Sequence, residues 1–454
     1  MIYIKTPAPE REPRLAELLA RIQHDDQVSY KSFRTPNELR ELIENDLALL
    51  LSEHFEMALP AQPIADDATR QARLPTPRTA LIDRTEELAQ LRVLLLREDV
   101  ALVTLTGAAG AGKSRLAWQT GIDVCDQCHD GAGFVALAAI RDPNLVIPTI
   151  AQALDVRETA GGRPLVDRLY DFLRDKQMLL LLDNFEHLLE AAPVVTDLLQ
   201  QCPQLKVLAT SRAPLRVRGE QEFPLTPLAL PDAEPLQLEH LADNPAVALF
   251  LERAQAVKPG FRLTEENVRI IAEICRELDG LPLALELAAA RVRILSPQAL
   301  LERLQGRGTR LELLTGGARD LPPRQQTLRA TIDWSYELLN DGAKALLRRV
   351  AVFGGGWTLE AAEGIANANS ELGVDVLDEL QSLVDMSLLM QHETTGELRF
   401  AMLETIHEYA RERLAESGEA DALARRHAEY YLALADASAA DEARSARDAP
   451  KEAI

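Results

Sequence analysis

Eight consecutive residues, Gly107-Ala-Ala-Gly-Ala-Gly-Lys-Ser114, combine three glycines, a lysine and a hydroxyl in the pattern G-x4-G-K-[ST]. Glycines at 107, 110 and 112 can take backbone angles closed to other residues, and their bare amides can turn toward phosphate oxygens. Gly107, Gly110, Ala111, Gly112, Lys113, Ser114 and Arg115 are the candidate nucleotide-binding residues of this stretch. Lys113 would reach β- and γ-phosphates, Ser114 would offer its hydroxyl to Mg²⁺, and Arg115 opens the helix whose positive end faces the same anion. The flanks suit the chemistry. Val103-Thr-Leu-Thr106 reads as a strand and Arg115-Leu-Ala-Trp118 as the start of a helix, the context such a loop needs.

Two further strand ends carry polar groups. Gln177-Met-Leu-Leu-Leu-Leu-Asp183-Asn-Phe-Glu186-His187 is an apolar strand closing on a carboxylate. Asp183 is the candidate to hold the water shell of Mg²⁺. Glu186 is a candidate to polarise an attacking water, or else a solvated residue of the next helix; His187 reads as structural. Val207-Leu-Ala-Thr-Ser-Arg212 ends in a cation at the carboxyl edge of a sheet, where ligands of open α/β folds bind, and a guanidinium there can sense a γ-phosphate. Asp183, Glu186 and Arg212 form the candidate catalytic set, with Ser114 and Asp183 on the metal.

These residues need a scaffold of alternating strands and helices. Strands are expected at 101–106, 133–137, 177–182, 206–210 and 222–225, which implies a parallel sheet with helices on both faces. Ahead of them, residues 1–59 read as strand, helix, strand, helix, the later part of an N-terminal α/β domain, and 60–77 have linker composition. The nucleotide-binding domain spans 78–230 and a helical domain 231–318, where Val268, Ile271, Ile274 and Leu278 mark one helix face before Gly280-Leu-Pro282 breaks it. Residues 319–420 give helices, a hairpin of 388–390 with 398–402, and a final helix containing His407, which reads as solvated; the order suggests a winged helix. From 421 to 454 the chain is Ala-rich and helical, then charged and frayed.

The 454 residues carry a formal net charge of -22, a field that repels phosphate backbones and anionic lipids. No apolar run could span a bilayer and no leader is visible, so a cytoplasmic location is expected. Cys125-Asp-Gln-Cys128-His129 matches a haem-attachment spacing but lacks the export context, and no four-ligand zinc set stands out. Trp118 and Trp334 read as core residues, and the stretch Arg212–Arg218 as a solvated basic face apart from its first residue.

In this order the motifs resemble the STAND class of signal-transduction NTPases, and within it the bacterial NB-ARC-like ATPases, over about residues 75–420. Leu81-Ile-Asp-Arg84-Thr-Glu-Glu is similar to the motif ahead of the phosphate loop, and Leu278-Asp-Gly-Leu-Pro282-Leu-Ala to the GLPLA motif. Leu321-Pro-Pro-Arg-Gln-Gln-Thr-Leu-Arg-Ala-Thr-Ile-Asp-Trp334-Ser-Tyr resembles the winged-helix entry, and Phe400-Ala-Met-Leu-Glu-Thr-Ile-His-Glu-Tyr-Ala410 its end.

The resemblance implies an α/β P-loop sheet of order 5-1-4-3-2, Arg84 near adenine or ribose, and Pro282 packed on the base. It implies a winged helix that acts as a lid, and a switch between ADP-closed and ATP-open forms with slow hydrolysis and self-association. Residues 425–432 resemble the lead-in to tetratricopeptide-type repeats, which would bind protein partners. Two positions depart from the pattern. Asp83 stands where the family has glycine, and Met402-Leu403-Glu404 stands where related switches carry a His that contacts ADP. Nucleic acid is not an expected partner; the alternative is a transcription regulator whose winged helix reads DNA.

Overall fold

The computed structural model describes residues 2–5, 30–33, 35, 74, 81–157, 163–232, 241–306, 310–317, 326–394 and 396–448. The expected helices within 1–59, nearly all of the linker at 60–77, and the start of the winged-helix entry at 321–325 lie outside them. The chain divides into two compact units. One joins Met1–Leu74 to Cys125–Val207, and the other Pro75–Val124 to Leu208–Ile454.

Strands β1 (Ile2–Lys5) and β2 (Tyr30–Phe33) pair in parallel. The main sheet contains β3 (Leu102–Thr106), β4 (Ala132–Ala136), β5 (Leu179–Asp183), β6 (Lys206–Thr210) and β7 (Glu220–Pro224). Its order is β4-β5-β6-β3-β7, the expected 5-1-4-3-2 read from the other edge. Every residue of β3 is buried, as are the first four of β5, and the latter read as an unbroken apolar run. β7 sits at the edge, half-exposed, and starts two residues earlier than its weak pattern suggested.

Helices α1 (Thr85–Leu96) and α2 (Lys113–Cys125) flank β3 in sequence. Helices α3 (Val146–Ala153), α4 (Leu165–Leu173) and α5 (Ala192–Gln201) belong to the first unit. In the second unit follow α6 (Pro245–Val257), α7 (Val268–Glu277), α8 (Pro282–Arg291), α9 (Pro297–Leu304) and α10 (Arg310–Leu313). The face marked by Val268, Ile271, Ile274 and Leu278 is buried, and Pro282 takes the first position of α8, where its missing N–H costs nothing.

The winged helix comprises α11 (Leu328–Glu337), α12 (Asp341–Val350), α13 (Leu359–Ala361, continuing as a π-turn), α14 (Val376–Asp385), β8 (Met390–Thr394), β9 (Glu397–Ala401) and α15 (Glu404–Ser417). Side chains of Thr327, Asn340 and Asp375 cap α11, α12 and α14. The first wing strand begins at Met390, not Leu388. Leu388 and Leu389 both donate their N–H to the Leu383 carbonyl and close the end of α14. Trp357, stacked on Phe353 at 5.1 Å, pairs its backbone with Phe400 to extend the wing. This buried Trp357, not the half-buried Trp118 and Trp334, anchors the core. Helix α16 runs Ala420–Asp448, further than the charged composition suggested. No helix among the described residues is long and apolar enough to cross a membrane.

Candidate functional site

Strand β3 delivers the chain into a loop whose glycines adopt φ of 143° at Gly107, 83° at Gly110 and 97° at Gly112. Side chains are excluded by contact as well as by angle. A methyl group on Gly107 would fall 2.4 Å from the Leu225 carbonyl oxygen, and one on Gly110 would fall 2.9 Å from Leu283 Cβ. Lys113 is nearly buried and donates from Nζ to the carbonyls of Gly107 at 2.7 Å and Ala108 at 3.0 Å. Its ammonium thus hangs over the loop that the glycines shape. Ala111 is buried and Ser114 half-buried beside it. Arg115 faces Glu286 of α8 at 3.6 Å, and burial lowers its pKa.

Helix α8 reaches the same loop from a distant part of the sequence. Leu283 donates its N–H to the Gly110 carbonyl at 3.2 Å, and Pro282 Cγ lies 3.9 Å from where a Gly112 methyl would stand. Pro282, Leu283, the glycines and Lys113 therefore come together. Arg84, 7% exposed, is fixed by Glu87 at 2.5 Å and by the Thr226 carbonyl at 2.8 Å. Asp83 has φ 39°, so the position does require the left-handed conformation that glycine takes freely, and aspartate tolerates it.

In the other unit, Asp183 ends β5 opposite Ala136 of β4. Glu186 is 4% exposed, with Asn184 Nδ2 3.4 Å from its Oε1, which corrects the reading of a solvated helix residue. His187 Nε2 lies 2.7 Å from the Ile140 carbonyl and 3.2 Å from that of Leu137, a structural placement as expected.

Arg212 is buried, and its guanidinium donates to the Thr331 carbonyl at 3.1 Å and to the Ser335 hydroxyl, both on α11. Its own carbonyl accepts from Ser387 Oγ at 3.1 Å. Four residues on, Arg216 (φ 56°) pairs with Asp385 at the end of α14. The stretch 212–218 is thus no plain solvated face. It grips the winged helix at two places.

Sequence reading missed a third junction. Asp279, in the loop before Pro282, accepts N–H bonds from Glu404 at 3.0 Å and Thr405 at 3.1 Å, and the Thr405 hydroxyl at 3.2 Å. Burial pushes its carboxyl up to about 6, against the pull of these bonds and of Arg310. Arg310 is buried, pairs with Glu277, and lies 3.4 Å from Glu404 and 4.0 Å from Glu408. His407 belongs to this end of α15 and is not solvated: its Nε2 meets the Ala351 carbonyl at 2.9 Å. No local signal marks these pairs, because the partners stand 125 and 56 residues apart. The loop itself is tightly held. Gly280 has φ 65°, accepts from Leu228 N–H, and a methyl on it would fall 2.3 Å from the Leu228 carbonyl oxygen. Gly280→Ala should therefore lower unfolding stability by about 2–4 kcal/mol, read as a reduced urea midpoint; an unchanged midpoint would refute this packing.

A glycine-rich loop on a five-stranded parallel sheet, followed by a helical region and a winged helix, is the fold of a P-loop domain joined to a winged helix-turn-helix. Residues 96–223 match the AAA domain family and residues 339–415 the winged helix-turn-helix domain family. The uncharacterized protein Rv0894 of Mycobacterium tuberculosis is 37% identical over 354 residues, covering 78% of this chain and 86% of that protein. The chain belongs to the same family as that mycobacterial protein. A second relative from the same organism, provisionally named HTH-type transcriptional regulator Rv0890c, is 43% identical over 346 residues, 76% of this chain. The chain spans only 37% of its length.

Among solved structures, a STAND protein with a tetratricopeptide repeat sensor from Pyrococcus horikoshii aligns over 82% of this chain and 47% of its own. Its identity is 16% and its TM-score 0.33. The Aeropyrum pernix ORC2 protein aligns over 77% and 99%, at 13% identity and a TM-score of 0.41.

Proposed function

We propose that the protein is a nucleotide-dependent switch of the STAND, NB-ARC-like type. It binds ADP or ATP with Mg²⁺, hydrolyses ATP slowly, and couples nucleotide state to the position of its winged helix and to self-association. The fit to a nucleotide rests on the loop: three glycines at positive φ, a buried lysine on the carbonyls of Gly107 and Ala108, and a helix start directly behind. Lys113 would take up the β- and γ-phosphates; Ser114 and Asp183 would hold Mg²⁺, which when bound neutralises phosphate charge. Arg84 and Pro282 would border the base, and Glu186 would orient water.

One observation supports a switch more than a plain ATPase. Arg212, at the strand end where a γ-phosphate sensor belongs, donates to Thr331 and Ser335 of the winged helix. One guanidinium can serve either partner, so phosphate and winged helix would compete for it. Reversing a mostly closed population takes about 5.5 kcal/mol of differential binding, which ATP, self-association and protein partners of a repeat region would share.

The second reading is a DNA-reading regulator, favoured by the helix-turn-helix match and by the name given to one relative. The helix before the wing speaks against it. α14 is Val-Leu-Asp-Glu-Leu-Gln-Ser-Leu-Val-Asp, with no basic residue, and Asp375, Leu377, Asp378 and Gln381 are its exposed positions. Such a surface repels phosphate. The switch reading expects gel-filtration volume to differ between ADP and an ATP analogue, with no DNA retardation at low salt. A sequence-specific gel shift that ignores nucleotide would favour the second reading instead.

A further inference from the structure

Among the described helices of the winged helix, α11 to α14 are capped by the residue just before them, whereas α15 takes its cap from elsewhere in the chain. Leu403 precedes it and offers no side-chain acceptor, so the first-turn N–H groups need an outside partner. Asp279 supplies it, with one carboxylate oxygen to Glu404 N–H and the other to both the N–H and hydroxyl of Thr405. Asp279 itself has φ 55°, held in the left-handed region by the turn that Gly280 completes. A negative charge at a helix start is favoured by the dipole, and all three bonds, at 3.0–3.2 Å, end on the Asp279 carboxylate.

The other end of the same short loop lies against the phosphate loop. Asp279 is followed by Gly280, pinned to Leu228, and then by Pro282 and Leu283, which touch Gly112 and Gly110. Leu283 N–H to Gly110 carbonyl closes the connection at 3.2 Å. Five residues, 279–283, thus join the phosphate loop to the first turn of α15. Arg310, held between Glu277, Glu404 and Glu408, locks the flank of this junction.

We propose that Asp279 is a latch: its cap on Glu404 and Thr405 holds the winged helix against the phosphate-loop side, and breaking that cap is the step that releases the winged helix when nucleotide is exchanged. The latch does the holding at the place where Leu403 offers no polar group to a bound nucleotide. This inference rests on the switch reading above, and Asp279 acts as a positioning residue, not on the nucleotide itself.

The test compares the full chain with its Asp279→Ala and Asp279→Asn variants. Hydrogen exchange is measured without nucleotide, and release of a fluorescent ADP is measured separately. Asp279→Ala should speed exchange in peptides spanning 403–409 by about tenfold, as for a lost helix cap, while peptides of β3 and α2 keep their protection. ADP release should rise by about the same factor. Asp279→Asn keeps one acceptor oxygen and should fall between, which also serves if the alanine variant does not fold.

Unchanged protection at 403–409 in either folded variant overturns the cap. Lost protection with unchanged ADP release overturns the latch. Wild-type protein that takes up no ADP defeats the switch reading, and the exchange measurement then decides the cap alone.

Discussion

Lys113→Ala should weaken ADP and ATP binding by about 100-fold or more while leaving the fold intact. Removing one partner of a desolvated charge pair costs about 2–5 kcal/mol, and about 3 kcal/mol corresponds to that factor. Lys113 is 9% exposed and its ammonium donates to the loop carbonyls of Gly107 and Ala108. It is therefore placed to trade carbonyls for phosphate oxygens without rebuilding the loop. The loop keeps its other contacts in the variant: Leu225 still stands against Gly107, and Leu283 still donates its N–H to the Gly110 carbonyl. Titration calorimetry reads the affinity and a thermal melt confirms folding; a folded variant that binds as well as wild type would contradict the assignment.

Arg212→Ala should separate the two nucleotides. In the switch reading the guanidinium is shared between the γ-phosphate and α11, so its loss removes charge-assisted bonds specific to ATP. Each such bond is worth about 1.5–3 kcal/mol, so the preference for an ATP analogue over ADP should fall by about 10- to 100-fold. The variant also leaves the Thr331 carbonyl and Ser335 hydroxyl without this buried donor, which loosens the contact with the winged helix. The affinity ratio of the two nucleotides is the measurement. An unchanged ratio would confine Arg212 to a structural role.

Both experiments rest on residues that were readable from the sequence, and the reason is physical. The phosphate loop is local: glycine, lysine and hydroxyl must sit at fixed spacing between a buried strand and a helix. Strands β3, β5 and β6 announced themselves because they are nearly all buried and built mainly from aliphatic residues and threonine. The edge strand β7 and the wing were less legible. Leu388 and Leu389 are apolar because they are buried, 3% exposed each, and burial alone does not separate a strand from the turn that ends a helix. Roles made by distant pairs were not legible at all. Asp279 reads as part of a GLPLA-like motif, yet its carboxylate serves a helix far along the chain. His407 reads as a surface residue of a polar helix, yet Ala351 claims its ring. Arg216 reads as one more exposed cation, and its partner Asp385 belongs to the helix whose acidity argues against DNA.

A switch of this kind must carry a nucleotide. Protein purified rapidly without added ligand, denatured and analysed by chromatography, should release close to one equivalent of ADP per chain. Protein that carries none, and takes none up when incubated with ADP or ATP and Mg²⁺, would contradict it.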